Sequence, residues 1–499
     1  MNKSKITRNL VEKDYSILKA NLIKSYLKDD FERIIKFLKI IGRLMYNFNI
    51  FYTDDEVEEI IKKCSNKLNI DIKKTEEKRV IFYDYFSLDN RGLTEQYLEA
   101  LMKLDYDILY MTLQKDKNKM KNILEKLSGY KKSEVYIIQN EENLNSCNEI
   151  ISKVIEFEAS KVFIHTAPWD SIGFITWSAF ENKIDRYFIN LTDHTFWLGK
   201  NTADYFIEFR SYGKNISIDY RNIEEKKLLI LPYYPIQNKK EKFQGFNFDY
   251  KNKKIIFSGG SLYKIYGSNV FFDLVKHILE IDRDTIFLYL GNGDEKPLKQ
   301  FIKENNYQKR FYFENERRDI NEIFKRCYFY LGTFPICGGL MSQFAAMNNK
   351  LPIAYTSKNL PMNLIEELFI NVKNRKFTFT DIEEIKTEIT KILKNQEYLN
   401  EKILNISEVV ISKEEFKNEL ENIIKNKQSK FSYKKYKINI EIFSELYFQQ
   451  ENNYLKNYHQ LFIEKDIKVA LKFKKYYTKV ILKKIFTKIL RKRRKVNKI

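Results

Sequence analysis

Residues 327–347 of this 499-residue chain read CYFYLGTFPICGGLMSQFAAM. An apolar, strand-like run passes into a helical pattern marked by Leu340, Phe344 and Met347. Two glycines, Gly338 and Gly339, fall at the helix start. A helix N-terminus carries unpaired N–H groups and a partial positive charge, and residues without a Cβ let an anion approach that backbone. The chemistry this spacing suits is anion binding, a diphosphate foremost. The alternative is a strand-to-helix turn that needs glycine for packing.

Two further loops share the character. FSGGSLYKIYGSN places Gly259, Gly260 and Gly267 around Lys264 at the end of another strand pattern. A lysine there would neutralise a diphosphate as a point charge. LGNGD adds Gly291 to Asp294 at the end of a third. Three glycine loops at three strand ends of one domain point to a nucleotide-diphosphate site. No GxxxxGK[ST] occurs, and GNGD is not GxGxxG, so a P-loop NTPase and a dinucleotide oxidoreductase are disfavoured.

Acid–base chemistry has three candidate places, each just after a strand pattern. INLTDHTFWLG offers Asp193 and His194; histidine is the natural base near neutral pH. FIHTAPWDSIGF offers His165 and Asp170. YFSLDNRGLTEQY offers Asp89, Asn90, Arg91 and Gly92. The chain has 4 histidines, and two of them fall at these strand ends. IEFRSYG sets Glu208 and Arg210 on one face of a strand, as a mutual ion pair or as a grip on an acidic acceptor. The Asp-x-Asp pair at Asp282 and Asp284 precedes a strand, the wrong end for a metal site.

The elements that must position these residues follow from periodicity. Residues 1–78 read as a helical extension. From 79 to 236 short apolar runs such as RVIFYDYF, DILYMT and KVFIHT alternate with amphipathic helices such as GLTEQYLEALMKL. That alternation predicts a parallel sheet covered by helices. Residues 237–252 are polar and aperiodic, a linker. A second βα series fills 253–400, and 401–499 is helical with a basic end. The fold class is therefore α/β, with two Rossmann-like domains and helical extensions at both ends. Ligands of such sheets sit at the carboxyl ends of the strands, and with two facing domains the cleft between them is the natural site.

At GGLMSQFAAMNNKLP, Gly338 to Pro352, the sequence resembles the GT-B glycosyltransferases. This stretch is similar to the donor-nucleotide motif of the peptidoglycan N-acetylglucosaminyltransferase and to its equivalent in O-GlcNAc-type transferases. The resemblance covers roughly residues 79–400. It implies two Rossmann-like domains, a nucleotide-sugar donor with UDP favoured, and an acceptor that is a glycan, lipid-linked or protein molecule. It puts Gly338 and Gly339 against the donor diphosphate and implies no metal cofactor; with the loops read above, the expected donor site is Gly259, Gly260, Lys264, Gly291, Gly338, Gly339, Ser342 and Gln343, and the expected catalytic residues are His194, Asp193 and Asp89. In the family an acidic residue one turn into the helix binds the ribose hydroxyls; here that position is Gln343. An epimerase of the same architecture and a non-catalytic, degenerate transferase subunit are the alternatives.

Composition bounds the setting. The cysteines Cys64, Cys147, Cys327 and Cys337 form no CxxC pair, which fits a reducing cytosol. No signal-peptide pattern opens the chain. Of the net charge of +21, 14 Lys or Arg and no acid lie in residues 467–499. Apolar residues three and four apart among those lysines predict a basic amphipathic helix suited to an anionic membrane surface. The expected place is the inner face of the cell membrane, and a nucleic-acid partner is not expected.

Overall fold

The computed structural model describes residues 6–72, 77–89, 92–140, 143–237, 241–358, 360–372 and 374–452. Three helices come first, α1 (Arg8–Leu27), α2 (Phe31–Asn47) and α3 (Asp55–Ser65). In α2 the apolar residues Ile34, Leu38, Ile41 and Met45 recur three or four apart, and all are buried. Asp30 and Asp54 start α2 and α3 by accepting first-turn N–H bonds.

The first sheet is built from β1 (Arg79–Asp84), α4 (Thr94–Lys103), β2 (Asp107–Thr112), α5 (Lys121–Ser128), β3 (Ser133–Ile137) and α6 (Leu144–Phe157). It continues through β4 (Lys161–His165), α7 (Ser171–Ala179), β5 (Asp185–Asn190), β6 (Tyr205–Glu208), α8 (Ser211–Asp219) and β7 (Leu228–Ile230). Its strands are all parallel, in the order β3-β2-β1-β4-β5-β6-β7. Successive residues of β1 face opposite cores. Val80 and Phe82 pack with Tyr97 and Leu101 of α4, whereas Ile81 and Tyr83 pack with Leu38 and Ile41 of α2 and Ile172 of α7. The N-terminal helices join the core on this face, where α2 and α3 pack against α7.

The second sheet comprises β8 (Lys254–Gly259), α9 (Val270–Ile281), β9 (Thr285–Leu290), α10 (Lys296–Glu304), β10 (Phe311–Glu314), α11 (Ile320–Arg326) and β11 (Phe329–Leu331). It ends with α12 (Gly339–Met347), β12 (Pro352–Tyr355) and the short β13 (Thr378–Phe379). The order is β10-β9-β8-β11-β12-β13, again all parallel. β13 has only two residues, too few to show a strand periodicity in the sequence.

Four helices follow, α13 (Ile382–Lys394), α14 (Gln396–Ile403), α15 (Lys413–Asn426) and α16 (Ile440–Asn452). The chain then returns to the first domain. Phe416 of α15 sets its ring edge-on to Tyr97, centroids 5.2 Å apart. Beyond α15 the main chain is stitched to α8: the Lys434 N–H donates to Ser211 Oγ, and the Tyr436 N–H to Asn215 Oδ1. The Ser444 hydroxyl of α16 donates to the Asn49 carbonyl. The basic segment 467–499 lies outside the described residues. Among the described residues no helix is long and apolar enough to cross a membrane.

Candidate active site

In each sheet the strand order reverses beside the first strand, between β1 and β4 and between β8 and β11. Such switch points open a crevice at the carboxyl ends of the strands. At β8/β11 the crevice is lined by the two glycine loops. The Lys264 side chain runs back over Gly260, its Cδ 3.5 Å from where a Cβ on Gly260 would sit. Gly260 has φ +137°, a conformation that glycine takes freely. The Ile336 N–H donates to the Lys264 carbonyl at 3.2 Å, tying the loop after β8 to the loop before α12.

No side chain caps α12, whose N-cap is Gly338. The amides of Gly338, Gly339 and Leu340 find no hydrogen-bond acceptor among the described residues. The Lys264 ammonium, half-buried, has no hydrogen bond or ion pair among them either. Burial lowers its pKa, and the Cys337 thiol next to Gly338 is the group it feels. The buried Tyr330 hydroxyl is also unpartnered, and it lies 3.5 Å from the position of a Cβ on Gly338. The cradle thus has donors and a cation with nothing to bind within the protein.

Several expected donor residues have other work, which corrects the reading from sequence. Gln343 is fully buried; its Nε2 donates to the carbonyls of Tyr233 at 2.7 Å and Leu368 at 2.9 Å. An amide consumed by the backbone in the core cannot reach a ribose. Ser342 is equally buried. A Cβ on Gly339 would meet Leu368 Cδ1 at 2.5 Å, and one on Gly291 would meet the Gly260 carbonyl at 2.0 Å, so both glycines serve close packing. Gly259 also packs closely, a Cβ there lying 3.0 Å from the Leu290 carbonyl. Gly338 is different: its nearest would-be neighbours stand at 3.4 to 3.5 Å, ordinary contact.

In the first domain, Asp193 and His194 sit on the loop after β5. Asp193 is buried and takes a forked pair of bonds from Arg210, Nε to Oδ2 at 2.5 Å and Nη2 to Oδ1 at 2.9 Å. Burial would push the Asp193 carboxyl up, but Arg210 and His194 outweigh it and hold its pKa well below the usual carboxylate range. His194 Nδ1 stands 3.4 Å from Asp193 Oδ1, with its side chain 27% exposed. Phe443 and Tyr447 of α16 meet the imidazole edge-on at 6.0 and 5.7 Å between centroids. Arg210 does not pair with Glu208. That buried carboxyl accepts from Asn190 and Ser217, and burial pushes it up to about 7 against the pull of Arg221.

The other two places resolve differently. Asp89 caps α5 at long range: its carboxylate accepts the N–H groups of Asn122 at 2.9 Å and Ile123 at 3.1 Å. A carboxylate committed to two orphan amides of a helix start is a structural group. Asn90 and Arg91 lie outside the described residues. Asp170 caps α7 and accepts from Tyr83 and Thr166 rather than facing His165. His165 instead pairs with Asp84, which ends β1, Nδ1 to Oδ1 at 3.0 Å; the imidazole is 1% exposed and its Nε2 has no hydrogen-bond partner among the described residues. Asp84 was missed from sequence. The only signal it gave was a lone acid closing an apolar strand. Cavities of about 510 and 710 Å³ lie elsewhere, beside the outer strands β3 and β10.

No known family profile matches the chain, and no curated protein is similar to it in sequence. Solved structures are similar in fold. The O-GlcNAc transferase of Thermobaculum terrenum, at 12% identity, covers 89% of this chain and 82% of its own, with a TM-score of 0.51. Anabaena HepE in complex with UDP and glucose, also at 12% identity, covers 69% of this chain and 98% of its own, with a TM-score of 0.50. A UDP-GlcNAc 2-epimerase from Neisseria meningitidis bound to UDP-GlcNAc, at 13% identity, covers 70% and 100% with a TM-score of 0.47. With two all-parallel sheets, each switching strand order beside its first strand, this chain has the GT-B architecture. Nucleotide-sugar transferases and epimerases both occur among its structural neighbours.

Proposed function

We propose that this protein is a glycosyltransferase. It takes a sugar from a nucleoside-diphosphate donor, UDP foremost, and passes it to a hydroxyl of a glycan, lipid-linked or protein acceptor. The observation that carries the reading is Lys264, a half-buried cation without a partner beside three free helix amides at the β8/β11 switch point. Desolvating a charge without a counter-ion is unfavourable, and an anionic ligand offsets that cost. A diphosphate needs this same neutralisation as it leaves.

In this reading the acceptor oxygen bonds to the anomeric carbon while the bond from that carbon to the diphosphate oxygen breaks. The nucleoside diphosphate keeps the bond's electron pair and is held by Lys264 and the amides of Gly338, Gly339 and Leu340. The acceptor proton passes to His194 Nε2, with Asp193 beside Nδ1. His194 takes this role rather than His165 because a base must touch the hydroxyl it deprotonates, and 27% exposure allows that where 1% does not. Residues 467–499 would hold the enzyme at an anionic membrane surface, a role checked by salt-sensitive co-sedimentation with phosphatidylserine vesicles.

One observation favours a non-catalytic reading: with Gln343 spent on packing, no acid stands one turn into the donor helix. Thermal unfolding against UDP, GDP, ADP and CMP separates the cases, because a ligand of the folded state raises its stability by mass action. A shift with one nucleoside diphosphate, followed by turnover of its sugar derivative onto an acceptor, supports the transferase. A shift with sugar epimerised and no transfer selects the epimerase. No shift with any nucleotide overturns the donor site.

A further inference from the structure

The donor cradle and His194 belong to different domains, yet a run of hydrogen bonds joins them. Asn363 clamps the loop that enters α12: its Oδ1 accepts the Cys337 N–H at 2.9 Å, and its Nδ2 donates to the Pro335 carbonyl at 2.8 Å. The carbonyl of the preceding residue, Met362, accepts from Arg210 Nη1 at 2.6 Å. Arg210 is the forked partner of Asp193, and Asp193 Oδ1 faces His194 Nδ1. Asn363 and Asp193 are both buried, so this path runs where water does not screen it.

On this path the crossing between domains is the guanidinium of Arg210, and beside it the Ser211 N–H donates to Glu367 Oε2 at 3.2 Å. Three of its nitrogens are spent, two on Asp193 and one on Met362, and the planar fork fixes their relative directions. Movement of the cradle loop that shifts Met362 must therefore turn the fork or break one of its bonds. Turning the fork redistributes the Asp193 carboxylate between Arg210 and His194. Hydrogen-bonded elements with two discrete arrangements are what carry coupling between sites.

We propose that Arg210 is a positioning residue that couples the two halves of the site: a nucleoside diphosphate on the α12 cradle is registered at His194 through Asn363, Met362, Arg210 and Asp193. This deepens the transferase reading and rests on it for the identity of the ligand. Its consequence is that the acceptor-side imidazole is set for the reaction only when the donor is present. Such an arrangement withholds the base from wasteful turnover in the empty enzyme. The other groups around Asp193 and His194 are Arg221, whose Nη2 donates to the Asp193 carbonyl, Glu208, Tyr52 and Tyr212, with Phe443 and Tyr447 from α16. Tyr52, Tyr212, Phe443 and Tyr447 share an apolar cluster with Phe334, Ile336 and Met362, and Arg210 is hydrogen-bonded both to Asp193 and to Met362.

The test uses the full chain and the imidazole signals in ¹H–¹³C spectra. With 4 histidines the signals are few, and His194→Gln assigns the one that matters. His277, bonded to Lys386 and Thr390 of α13, is the internal control. Without nucleotide, Asn363→Ala and Arg210→Gln should each move the His194 signal and leave His277 in place. Because no hydrogen bond or ion pair joins Asn363 to His194 among the described residues, a still signal in Asn363→Ala overturns the coupling whatever UDP does. With saturating UDP, the His194 signal of the unaltered chain should move, and that movement should be lost in both variants. An equal movement in all three proteins means direct contact of UDP with His194 and also overturns the proposal. If UDP leaves the unfolding temperature unchanged, the donor reading fails, and the internal coupling stands or falls on Asn363→Ala alone. Arg210→Gln leaves Asp193 buried without its partner, so Asn363→Ala serves as the milder second variant should the first not fold.

Discussion

Gln343 donates to the main-chain carbonyl of Tyr233 across 2.7 Å and so fastens the donor helix to the segment that leaves the first domain. Its second amide hydrogen goes to Leu368, which makes the side chain a three-way junction in the core. Replacing it with glutamate, the residue type that a ribose contact would favour, removes both donors and buries a carboxylate with two carbonyls facing it. Gln343→Glu is expected to lose about 3 kcal/mol or more of stability in urea titrations, with no gain in UDP affinity. A stable Gln343→Glu protein that bound UDP more tightly would sink the packing role.

Lys264 is expected to behave in the opposite way. Its ammonium has no partner among the described residues, so Lys264→Met removes a desolvation cost and should fold at least as stably as the unaltered chain. The UDP-dependent rise in unfolding temperature should shrink, with affinity down roughly tenfold for one lost charge-assisted bond. A pH signature accompanies this. Burial lowers the folded-state pKa, so the unfolded chain holds this proton to higher pH than the folded chain does. Stability from this group therefore rises with pH through the interval below the ordinary lysine value, and Lys264→Met should flatten that rise. Calorimetry across alkaline pH measures it.

The adjacent glycines should separate cleanly. Gly339→Ala drives a Cβ to within 2.5 Å of Leu368 Cδ1, an overpacking that costs roughly 1–3 kcal/mol. Gly338→Ala meets nothing closer than 3.4 Å and sits at φ −92°, so it should fold with a change of no more than about 1 kcal/mol. Its methyl group instead narrows the approach to the free amides and should weaken UDP binding. Equilibrium unfolding and nucleotide titration on the two variants decide between packing and ligand contact. Equal UDP affinity in Gly338→Ala and the unaltered chain would remove Gly338 from the cradle.

Glu58 gives a test of how the N-terminal helices are held. Oε1 accepts the Gly199 N–H at 2.8 Å, Oε2 meets no hydrogen-bond donor among the described residues, and burial pushes the carboxyl from 4.5 to about 7. Between those values the folded chain binds a proton that the unfolded chain has released. The stabilisation is thus complete below about 4.5 and is lost as pH rises through about 7. The shift corresponds to roughly 3 kcal/mol. Glu58→Gln keeps the acceptor for Gly199 and needs no charge, so its stability should fall less between pH 5 and 8 than that of the unaltered chain. Parallel slopes for the two proteins would place the pH dependence elsewhere.

The order of strands and helices was legible in the sequence because its signal is local. Runs such as RVIFYDYF and DTIFLYL are short, apolar and rich in β-branched or aromatic residues, and the helices between them repeat at three and four. The glycine loops at the ends of β8 and β11 were legible for the same reason, since glycine marks a backbone need within a few residues. Partnership was not legible, because a side chain's partner depends on which strand ends the topology brings together. Arg210 meets Asp193 17 residues away and Met362 152 residues away, and Gln343 reaches back 110 residues to Tyr233. His165 found Asp84 rather than nearby Asp170 because β4 lies beside β1 in the sheet, with Asp84 and His165 in register. The sequence by itself determined the two sheets, the helices and the glycine loops at the ends of β8 and β11. Only the tertiary structure decided which polar residues stay free for a ligand, because a donor or a charge is free only when every neighbour that folding brings to it has been counted.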